Sequence, residues 1–256
     1  MKKVLLTLGA AALLSTGVYA AEGYNLSLGA GAGYQLSPYQ GVGGTTSPIP
    51  FMNFEYDKFY MRSGDVRYSV LSIGYDMYEN ESMTVSAYFN PWGGFNVERS
   101  DMDKGYGNID DREYQAEGGL KVLFDTGLNG LKVQVNTTYG EEGGHAGVSA
   151  FKAYPVTDKM VVVPRATITY FNDNYLDYYF GVSEDEAGRN SKIDGKYEAG
   201  SGFAFAFDLA TNYKLSENFQ LIGFVGVEKY SSEVDDSPIV EEDVIYRAGT
   251  GINYIF

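Results

Sequence analysis

Polar and apolar residues alternate in stretches of about ten residues along most of the chain, and turn-forming residues separate the stretches. Between residues 131 and 139, the odd positions are Leu, Val, Val, Thr and Tyr, and the even positions are Lys, Gln, Asn and Thr. The stretches 203–213 and 246–256 alternate in the same way. A period of two predicts β-strands that have one apolar face and one polar face.

The length of these strands favours a membrane barrel over a soluble β-sandwich. The predicted strands contain about 10 to 13 residues, whereas strands of globular proteins usually contain about five or six. Aromatic residues stand at the ends of the apolar faces, as they do at the two interfaces of a bilayer. In hydrocarbon every backbone polar group needs a partner within the protein, so such strands must close into a ring. We therefore predict an all-β protein, a transmembrane antiparallel β-barrel.

The hairpins predict about twelve strands, at 24–36, 49–56, 58–63, 66–78, 82–90, 113–125, 130–140, 147–155, 159–171, 200–213, 218–231 and 244–256. Tight turns alternate with longer connections at 37–48, 91–112, 141–146, 172–199 and 232–243. This alternation predicts an even number of strands, with both termini in the periplasm. If residues 63–65 are a kink instead of a turn, the count falls to ten. Pro164 lies within a predicted strand and predicts a bulge there, because proline cannot donate to the ladder.

The beginning of the chain has the features of a cleaved secretory signal peptide. Lys2 and Lys3 precede an apolar run that ends at Leu14, and small residues precede Ala21. Removal of residues 1–20, which contain two lysines and no acid, leaves a net charge of −17 on a single barrel domain, 21–256. The chain contains no Cys, so we expect neither a disulfide nor a lipid anchor at the cleavage site.

Composition places this barrel in the outer membrane of a Gram-negative cell. After the signal, the best apolar runs, 160–163 and 221–227, are too short to span a bilayer as helices. The chain has 32 Gly, 23 Tyr, 15 Phe and a net charge of −15. The negative charge excludes a nucleic-acid partner, which requires basic patches. The expected surroundings are outer-membrane lipid and lipopolysaccharide.

Several segments, taken in order, resemble the MipA/OmpV family. They are 29–34, 48–50, 59–62, 178–183 with Glu186 and Ala187, 232–240, and 249–256. The most specific are Tyr-Tyr-Phe-Gly-Val-Ser at 178–183 and Ser-Pro-Ile-Val at 237–240. The resemblance covers essentially the whole chain after the signal peptide.

The resemblance implies a non-enzymatic outer-membrane barrel that acts as a scaffold. The family name refers to interaction with the murein-degrading transglycosylase MltA, and the founding member is described as joining a lytic transglycosylase to a murein (peptidoglycan) synthase. Other members are treated as surface proteins or adhesins. The family has no agreed catalytic residues, so the resemblance transfers no site. Two alternatives stay open: a narrow channel for small solutes, and a surface adhesin that acts through its long loops.

The single histidine does not predict an enzyme. His145 is flanked by glycines, and Ser149 is four residues away. In a strand this spacing separates the two residues by about 13 Å, which is too far for a nucleophile and its base. We interpret His145 as a solvated loop residue, and we expect no catalytic residue.

The acidic segment 233–243 raises the question of a divalent cation. Its acids are Glu233, Asp235, Asp236, Glu241, Glu242 and Asp243. A calcium site needs oxygens at defined spacings, which this segment lacks. We interpret it as a solvated extracellular loop, and we expect neither a metal site nor a cofactor.

The longest loop contains a candidate plug, formed by Tyr178, Tyr179 and Phe180. These residues are too apolar for a merely solvated loop, and Ser183 with Glu186 has the spacing of a capping box. One hypothesis is that the loop folds over or into the mouth of the barrel. The other is that 178–182 form one more short strand.

Charged residues of both signs fall on the inward faces of the predicted strands. They are Glu117, Lys121, Lys132, Arg165, Asp208, Glu228 and Arg247, together with the polar Gln134. In a barrel of about twelve strands, mixed charges are more typical of a salt-bridge network that fills the lumen than of a selective pore.

The last strand ends with Ile252, Tyr254 and Phe256 on one face. This aromatic end resembles the signal that the barrel-assembly machinery reads. We therefore expect that machinery to be a partner of these residues during insertion.

Overall fold

The computed structural model describes residues 24–256, and its strands account for most of that length. The strands are β1 (Tyr24–Leu36), β2 (Gly44–Tyr56), β3 (Phe59–Ser63), β4 (Leu71–Glu79), β5 (Met83–Gly93), β6 (Gln115–Asp125), β7 (Leu131–Gly140), β8 (Gly143–Lys152), β9 (Tyr154–Thr157), β10 (Met160–Phe171), β11 (Gly202–Lys214), β12 (Phe219–Tyr230) and β13 (Val244–Ile255). The helices are α1 (Asp173–Phe180), α2 (Glu184–Arg189) and α3 (Ser232–Asp235). The predicted signal peptide, residues 1–20, lies outside the described residues.

The sheet closes on itself as an antiparallel barrel. Consecutive strands pair with one another, β13 pairs with β1, and β10 pairs with β11. β8 and β9 pair with the same edge of β10 and act as one strand that is interrupted at Ala153. The barrel therefore has twelve strands, which confirms the predicted fold class and strand number.

Strand β11 shows how the sequence alternation builds this wall. Its small and acidic residues Ala204 and Asp208 face inward and are 1% and 2% exposed, while Phe205 and Phe207 face outward and are 53% and 52% exposed. Large apolar side chains on an outer surface are stable only in contact with lipid, so the pattern fits a membrane wall. None of the helices in the described part of the chain is long and apolar enough to cross a membrane.

The connections divide into two ends, as predicted. One end, called here the short-turn end, carries the turns 57–58, 80–82, 126–130, 158–159 and 215–218. The other, called the loop end, carries the connections 37–43, 64–70, 94–114, 141–142, 172–201 and 231–243.

Strand β2 begins at Gly44, so the prediction that it begins at residue 49 is wrong. Pro48 and Pro50 lie within the strand and pair with β1. β2 pairs with β3 only from Asn53 to Tyr56, and the backbone N–H of Met52 is bonded to the side chain of Ser63. Pro48 and Pro50 are separated from Met52 by an even number of residues, so their backbone nitrogens also point toward β3. On that side, the part of β2 before Asn53 has no hydrogen-bonded neighbour strand. The prolines are tolerated because they have no N–H to leave unpaired.

The segment 64–70 is not part of a strand, although a strand at 66–78 was predicted. It is a real connection between β3 and β4, so the count remains twelve and the alternative of ten strands is wrong. Val66, Arg67 and Tyr68 are 0%, 7% and 3% exposed. The segment folds inward because it carries residues that bond to groups inside the barrel, as described below.

The predicted loop at 141–146 is also wrong, because Glu141 and Glu142 form a two-residue turn and β8 begins at Gly143. Gly143 has a φ of +106°, which only glycine adopts easily and which permits so tight a turn. The irregularity predicted at Pro164 lies instead in the pairing of β9 with β10, where the register shifts between Met160 and Val161. Pro164 lies between the part of β10 that pairs with β9, which ends at Val162, and the part that pairs with β8, which begins at Arg165.

Candidate functional site

Helix α1 packs against the inside of the loop end of the barrel. Its N-cap is Asn172, whose side-chain oxygen accepts hydrogen bonds from the backbone N–H groups of Tyr175 and Gly144, each at 3.0 Å. Such a cap satisfies one of the free N–H groups of the first turn. Because Gly144 belongs to β8, the same side chain fixes the start of the helix to the barrel wall.

The inner face of α1 is completely buried. Tyr175, Leu176, Tyr179 and Phe180 are each 0% exposed, and their spacing places them on one stripe of the helix. They belong to an apolar cluster that spans the loop end and also includes Tyr39, Tyr68, Phe95, Phe171, Tyr230, Val234 and Ile239. The rings of Phe95 and Tyr179 meet edge to face at 5.1 Å between centroids. This contact geometry is favourable for aromatic pairs and leaves little space between them.

Three separate connections hold the C-terminal end of α1. The carbonyl oxygens of Tyr179, Phe180 and Gly181 accept hydrogen bonds from three side chains of other loops. The donors are Tyr39 Oη at 3.0 Å, Ser237 Oγ at 2.6 Å and Arg112 Nη2 at 3.0 Å, in that order. The last carbonyls of a helix have no partner within it, so these bonds satisfy groups that burial would otherwise leave unpaired.

Helix α2 connects the same region to the connection 94–114. Ser183 and Glu186 form the predicted capping box. The Glu186 carboxylate also forms an ion pair with Arg112 Nη2 at 2.9 Å and accepts a hydrogen bond from the backbone N–H of Asp110 at 2.8 Å. Burial alone would raise the pKa of Glu186, but the N–H groups of Ser183 and Asp110 and the charge of Arg112 outweigh it, so the pKa is lowered.

A network of buried charges fills the lumen beneath this aromatic layer. Asp208 accepts from Arg67 Nη1 at 2.9 Å and from Arg247 Nε at 3.0 Å. Glu228 accepts from Arg67 Nε at 2.8 Å and from the hydroxyl of Tyr68. The two arginines and two carboxylates are at most 7% exposed and balance in charge. Arg67 and Tyr68 come from the inward-folded segment 64–70, so this segment bonds directly to β11 and β12 across the lumen.

A second group of charges lies beside Tyr60. Lys121 Nζ is 2.5 Å from a carboxylate oxygen of Asp65, and Arg62 is 3.8 Å from its other oxygen. Lys121 and Arg62 also lie 4.5 Å and 4.3 Å from the centre of the Tyr60 ring. Removing one partner of such a buried pair leaves an uncompensated charge, so these contacts hold the group together.

His145 is buried, so its interpretation as a solvated loop residue is wrong. It faces inward from β8, is 4% exposed and packs against Tyr68, Phe171 and Tyr175. Its Nε2 atom is 3.7 Å from a carboxylate oxygen of Glu117. Ser149 is bonded instead to Thr167, at 2.9 Å. The interpretation of His145 is wrong because residues 143–146 belong to β8 and not to the predicted loop at 141–146.

The inward charges predicted from the alternation do face the lumen. Glu117, Lys121, Gln134, Arg165, Asp208, Glu228 and Arg247 are buried, and Lys132 is half-buried. The residues that sequence reasoning missed are Tyr39, Asp65, Arg67, Tyr68 and Arg112, all of which lie in connections. Their signal in the sequence is weak, since a connection that folds inward has no periodicity.

The three residues of the candidate plug differ in environment. Tyr179 and Phe180 lie in the buried face of α1, whereas Tyr178 is half-buried and accepts a hydrogen bond from the N–H of Glu113 at 3.2 Å. The segment is helical, so the alternative of a short strand at 178–182 is wrong.

At the end of the last strand, Ile252 and Phe256 are 50% and 57% exposed on the lipid-facing side. The ring of Tyr254 contacts those of Phe256 and Phe219, at 4.8 Å and 5.0 Å between centroids. Two of the three residues of the predicted assembly signal, Tyr254 and Phe256, therefore lie in one aromatic group at the short-turn end.

The acidic segment 233–243 is partly engaged with the rest of the loop end. Glu241 accepts a hydrogen bond from the N–H of Gly41 at 3.0 Å, and Asp243 pairs with Lys229. In residues 24–256 no group of three or more side chains has the arrangement of a metal site.

Comparison with known proteins places the chain among outer-membrane proteins. A family model described as MltA-interacting protein MipA matches residues 28–256. The MltA-interacting protein of Escherichia coli (strain K12) is 28% identical over 258 residues, which cover 100% of this chain and 99% of that protein. The 24 kDa outer membrane protein of Pasteurella multocida (strain Pm70) is 25% identical over 240 residues, 91% of each chain. Among solved structures, an outer membrane channel from Pseudomonas putida F1 is 11% identical with a TM-score of 0.45, over 94% of this chain and 98% of that one.

Proposed function

The chain belongs to the MipA family of outer-membrane β-barrels, and we propose that it is a closed, non-conducting scaffold that holds a murein-cleaving lytic transglycosylase at the outer membrane. The observation that carries the proposal is the filled lumen, with α1 and its aromatic cluster above and the buried ion pairs of Arg67, Asp208, Glu228 and Arg247 below. A relative that aligns over the full length is named for interaction with MltA.

A filled lumen favours a scaffold over the alternative of a solute channel. In a channel, permeation requires a continuous wet path whose charges bind the solute weakly. Here most of the charged groups bind one another, and a layer of buried aromatic rings lies over them. The candidate plug, Tyr179 and Phe180 with their half-buried neighbour Tyr178, is in this proposal the part that seals the loop end.

A scaffold must also offer a surface to the periplasm, and we assign that role to the short-turn end. There, all four residues of β9 are exposed, with Tyr154 at 47% and Val156 at 59%. Leu128, in the turn before β7, is 68% exposed. Leu131 pairs with Lys152, so this turn lies beside β9. Exposed apolar residues that group in this way are typical of protein contacts. Both termini then lie in the periplasm.

Binding to a purified lytic transglycosylase tests the scaffold. The full chain in lipid nanodiscs should bind the enzyme, and Leu128→Ser with Val156→Ser should weaken the dissociation constant about tenfold or more, since apolar anchors dominate such contacts. Leu215→Ser, in another turn of the same end and 50% exposed, is the matched control and should bind normally. Equal binding by the double variant would place the contact elsewhere. Absence of binding by the unsubstituted chain would refute the scaffold role. A murein synthase added to the bound complex would then test the second half of the scaffold.

Conductance in planar bilayers separates the scaffold from the channel. We expect no steady current through the unsubstituted barrel. Tyr179→Ala with Phe180→Ala should produce open events, because the two truncations remove much of the aromatic layer, whereas Tyr178→Ala should change little. A steady current through the unsubstituted barrel would favour the channel. An unchanged current in the double variant would mean that segment 64–70 alone closes the lumen.

A further inference from the structure

A shallow groove of about 620 Å³ crosses the lipid-facing surface of six neighbouring strands, from β2 to β10. The pairing of residues in neighbouring strands explains why the groove forms. Ala32 pairs with Thr250, Thr250 with Gly223, and Gly223 with Thr211, so four small residues stand in one outward-facing row. The next row contains Tyr34, Val225 and Leu209, which are 39% to 53% exposed and form one wall of the groove. We call this feature the acyl groove.

The acyl groove is long and narrow. Neighbouring strands are about 4.8 Å apart, so six strands give it a length of about 24 Å along the hydrogen-bonding direction. Outward-facing rows are about 7 Å apart, so its width is that of a single row of side chains. By register, Ile252 and Leu221 form the row on its other side and are 50% and 40% exposed.

The floor of the acyl groove is rigid and almost entirely apolar. Inside the barrel the ring of Phe224 lies so close to Gly249 that a Cβ there would be 2.4 Å from it, so the wall cannot move inward. The hydroxyl of Thr250 donates to the carbonyl of Ile222 at 2.9 Å, and that of Thr211 donates to the carbonyl of Val161 at 3.2 Å. A ligand therefore needs to be an apolar chain, and it finds a preformed site.

Two lysines lie next in the chain to the part of the acyl groove on β10 and β11, near the short-turn end, although neither lines the groove. Met160 and Thr211 line this end. Lys159 precedes Met160, and its carbonyl oxygen accepts a 2.7 Å hydrogen bond from the backbone N–H of Lys214. Both side chains are exposed. Asp158 and Glu217 lie in the same turns and reduce the net charge, so the lysines are suited to orient a phosphate, while the acyl groove provides most of the contact.

We propose that the acyl groove is a binding site for a glycerophospholipid, with one acyl chain along Ala32, Thr250, Gly223 and Thr211 and the phosphate at Lys159 and Lys214. An apolar tail with an anionic head matches both parts of the site. A second copy of the barrel fits poorly, because a two-fold interface would place one groove against the other and leave both unfilled. The short-turn end faces the phospholipid leaflet in the orientation proposed above, whereas the other leaflet contains lipopolysaccharide.

Native mass spectrometry of the full chain, extracted in a mild detergent, tests this site. The unsubstituted protein should retain one glycerophospholipid. Ala32→Leu with Gly223→Leu fills the groove and should lower retention about fivefold, through loss of buried methylene contacts. Lys159→Gln with Lys214→Gln should lower it about twofold to threefold, through loss of headgroup attraction. Matched controls are Ala87→Leu, on the lipid-facing side of β5, and Lys58→Gln, in another short turn; neither should change retention.

Three results would overturn the proposal. The first is equal retention by the groove-filled and unsubstituted proteins. The second is a dimer of the unsubstituted protein that becomes a monomer when the groove is filled, which would assign the groove to a second copy. The third is retained lipid A instead of glycerophospholipid. If the groove-filled protein does not fold, the lysine variant and the rise in melting temperature of the unsubstituted protein on adding phosphatidylglycerol decide the question.

Discussion

The hydroxyl of Ser237 donates a 2.6 Å hydrogen bond to the backbone carbonyl oxygen of Phe180, across 57 residues of sequence. This contact joins the two segments on which the resemblance in sequence chiefly rests. Phe180 ends α1 within Tyr-Tyr-Phe-Gly-Val-Ser, and Ser237 begins Ser-Pro-Ile-Val. These two segments therefore hold each other in place at the loop end.

Replacement of Ser237 by Ala should loosen α1 without unfolding the barrel. The substitution leaves the carbonyl of Phe180 buried and unpaired, at a cost of about 1–3 kcal/mol. Because α1 opens locally, amide hydrogen exchange of residues 173–180 should accelerate while exchange of the strands stays the same. Ser191→Ala, at an exposed position in the same connection as α1, is the control and should leave exchange unchanged. Equal exchange in the Ser237 and Ser191 variants would mean that the other two bonds hold the helix alone.

The barrel wall and its inward charges could be predicted from sequence, and the partners that these charges find inside the lumen could not. A period of two predicts strands such as β7 and β11, because each has lipid on one side and protein on the other. Arg67 and Tyr68 fit the same alternation, so the sequence predicts that they belong to a strand at 66–78. Their actual partners, Asp208 and Glu228, are more than 140 residues away, and no local pattern encodes such a contact. His145 was misplaced for a related reason, since its flanking glycines indicate a loop equally well.

Replacing one partner of the Arg247–Asp208 ion pair should lower the stability of the barrel more than replacing both partners with apolar residues. Arg247→Met leaves Asp208 and Glu228 with Arg67 as their ion-pair partner, which we expect to destabilise the barrel by about 3–5 kcal/mol. The double variant Arg247→Met with Asp208→Leu leaves Arg67 paired with Glu228 and should regain part of that stability, because the buried Arg165 then loses the nearby charge of Asp208. Urea unfolding in liposomes measures both. If the two effects simply add, the residues are not coupled.

Replacement of Pro48 or Pro50 by Ala should destabilise the barrel, although alanine is usually the better tolerated residue within a strand. Each substitution introduces an N–H group on the side of β2 that has no ladder, within the hydrocarbon. An unpaired buried N–H costs about 1–3 kcal/mol. Thermal unfolding in the same lipid should show a lower midpoint for each variant, and the two effects should add. Pro155→Ala in the exposed strand β9 controls for the general effect of losing a proline. If the Pro48 and Pro50 variants lower the midpoint no more than this control does, the new N–H groups of β2 must have hydrogen-bond acceptors on the β3 side.

The aromatic end of the last strand should matter for assembly in cells far more than for stability. Phe256 closes the ring with a backbone hydrogen bond from its N–H to the carbonyl of Leu26, at 3.0 Å. Phe256→Ala keeps this bond and removes only a lipid-exposed ring, so spontaneous refolding into liposomes and the final stability should change by less than about 1 kcal/mol. If the barrel-assembly machinery reads Ile252, Tyr254 and Phe256, the amount of folded protein in the outer membrane should nevertheless fall several-fold. Phe219→Ala removes another exposed ring that contacts Tyr254 and is the matched control. Normal outer-membrane levels of the Phe256 variant, or an equal loss in the Phe219 variant, would leave the strand end with a structural role only.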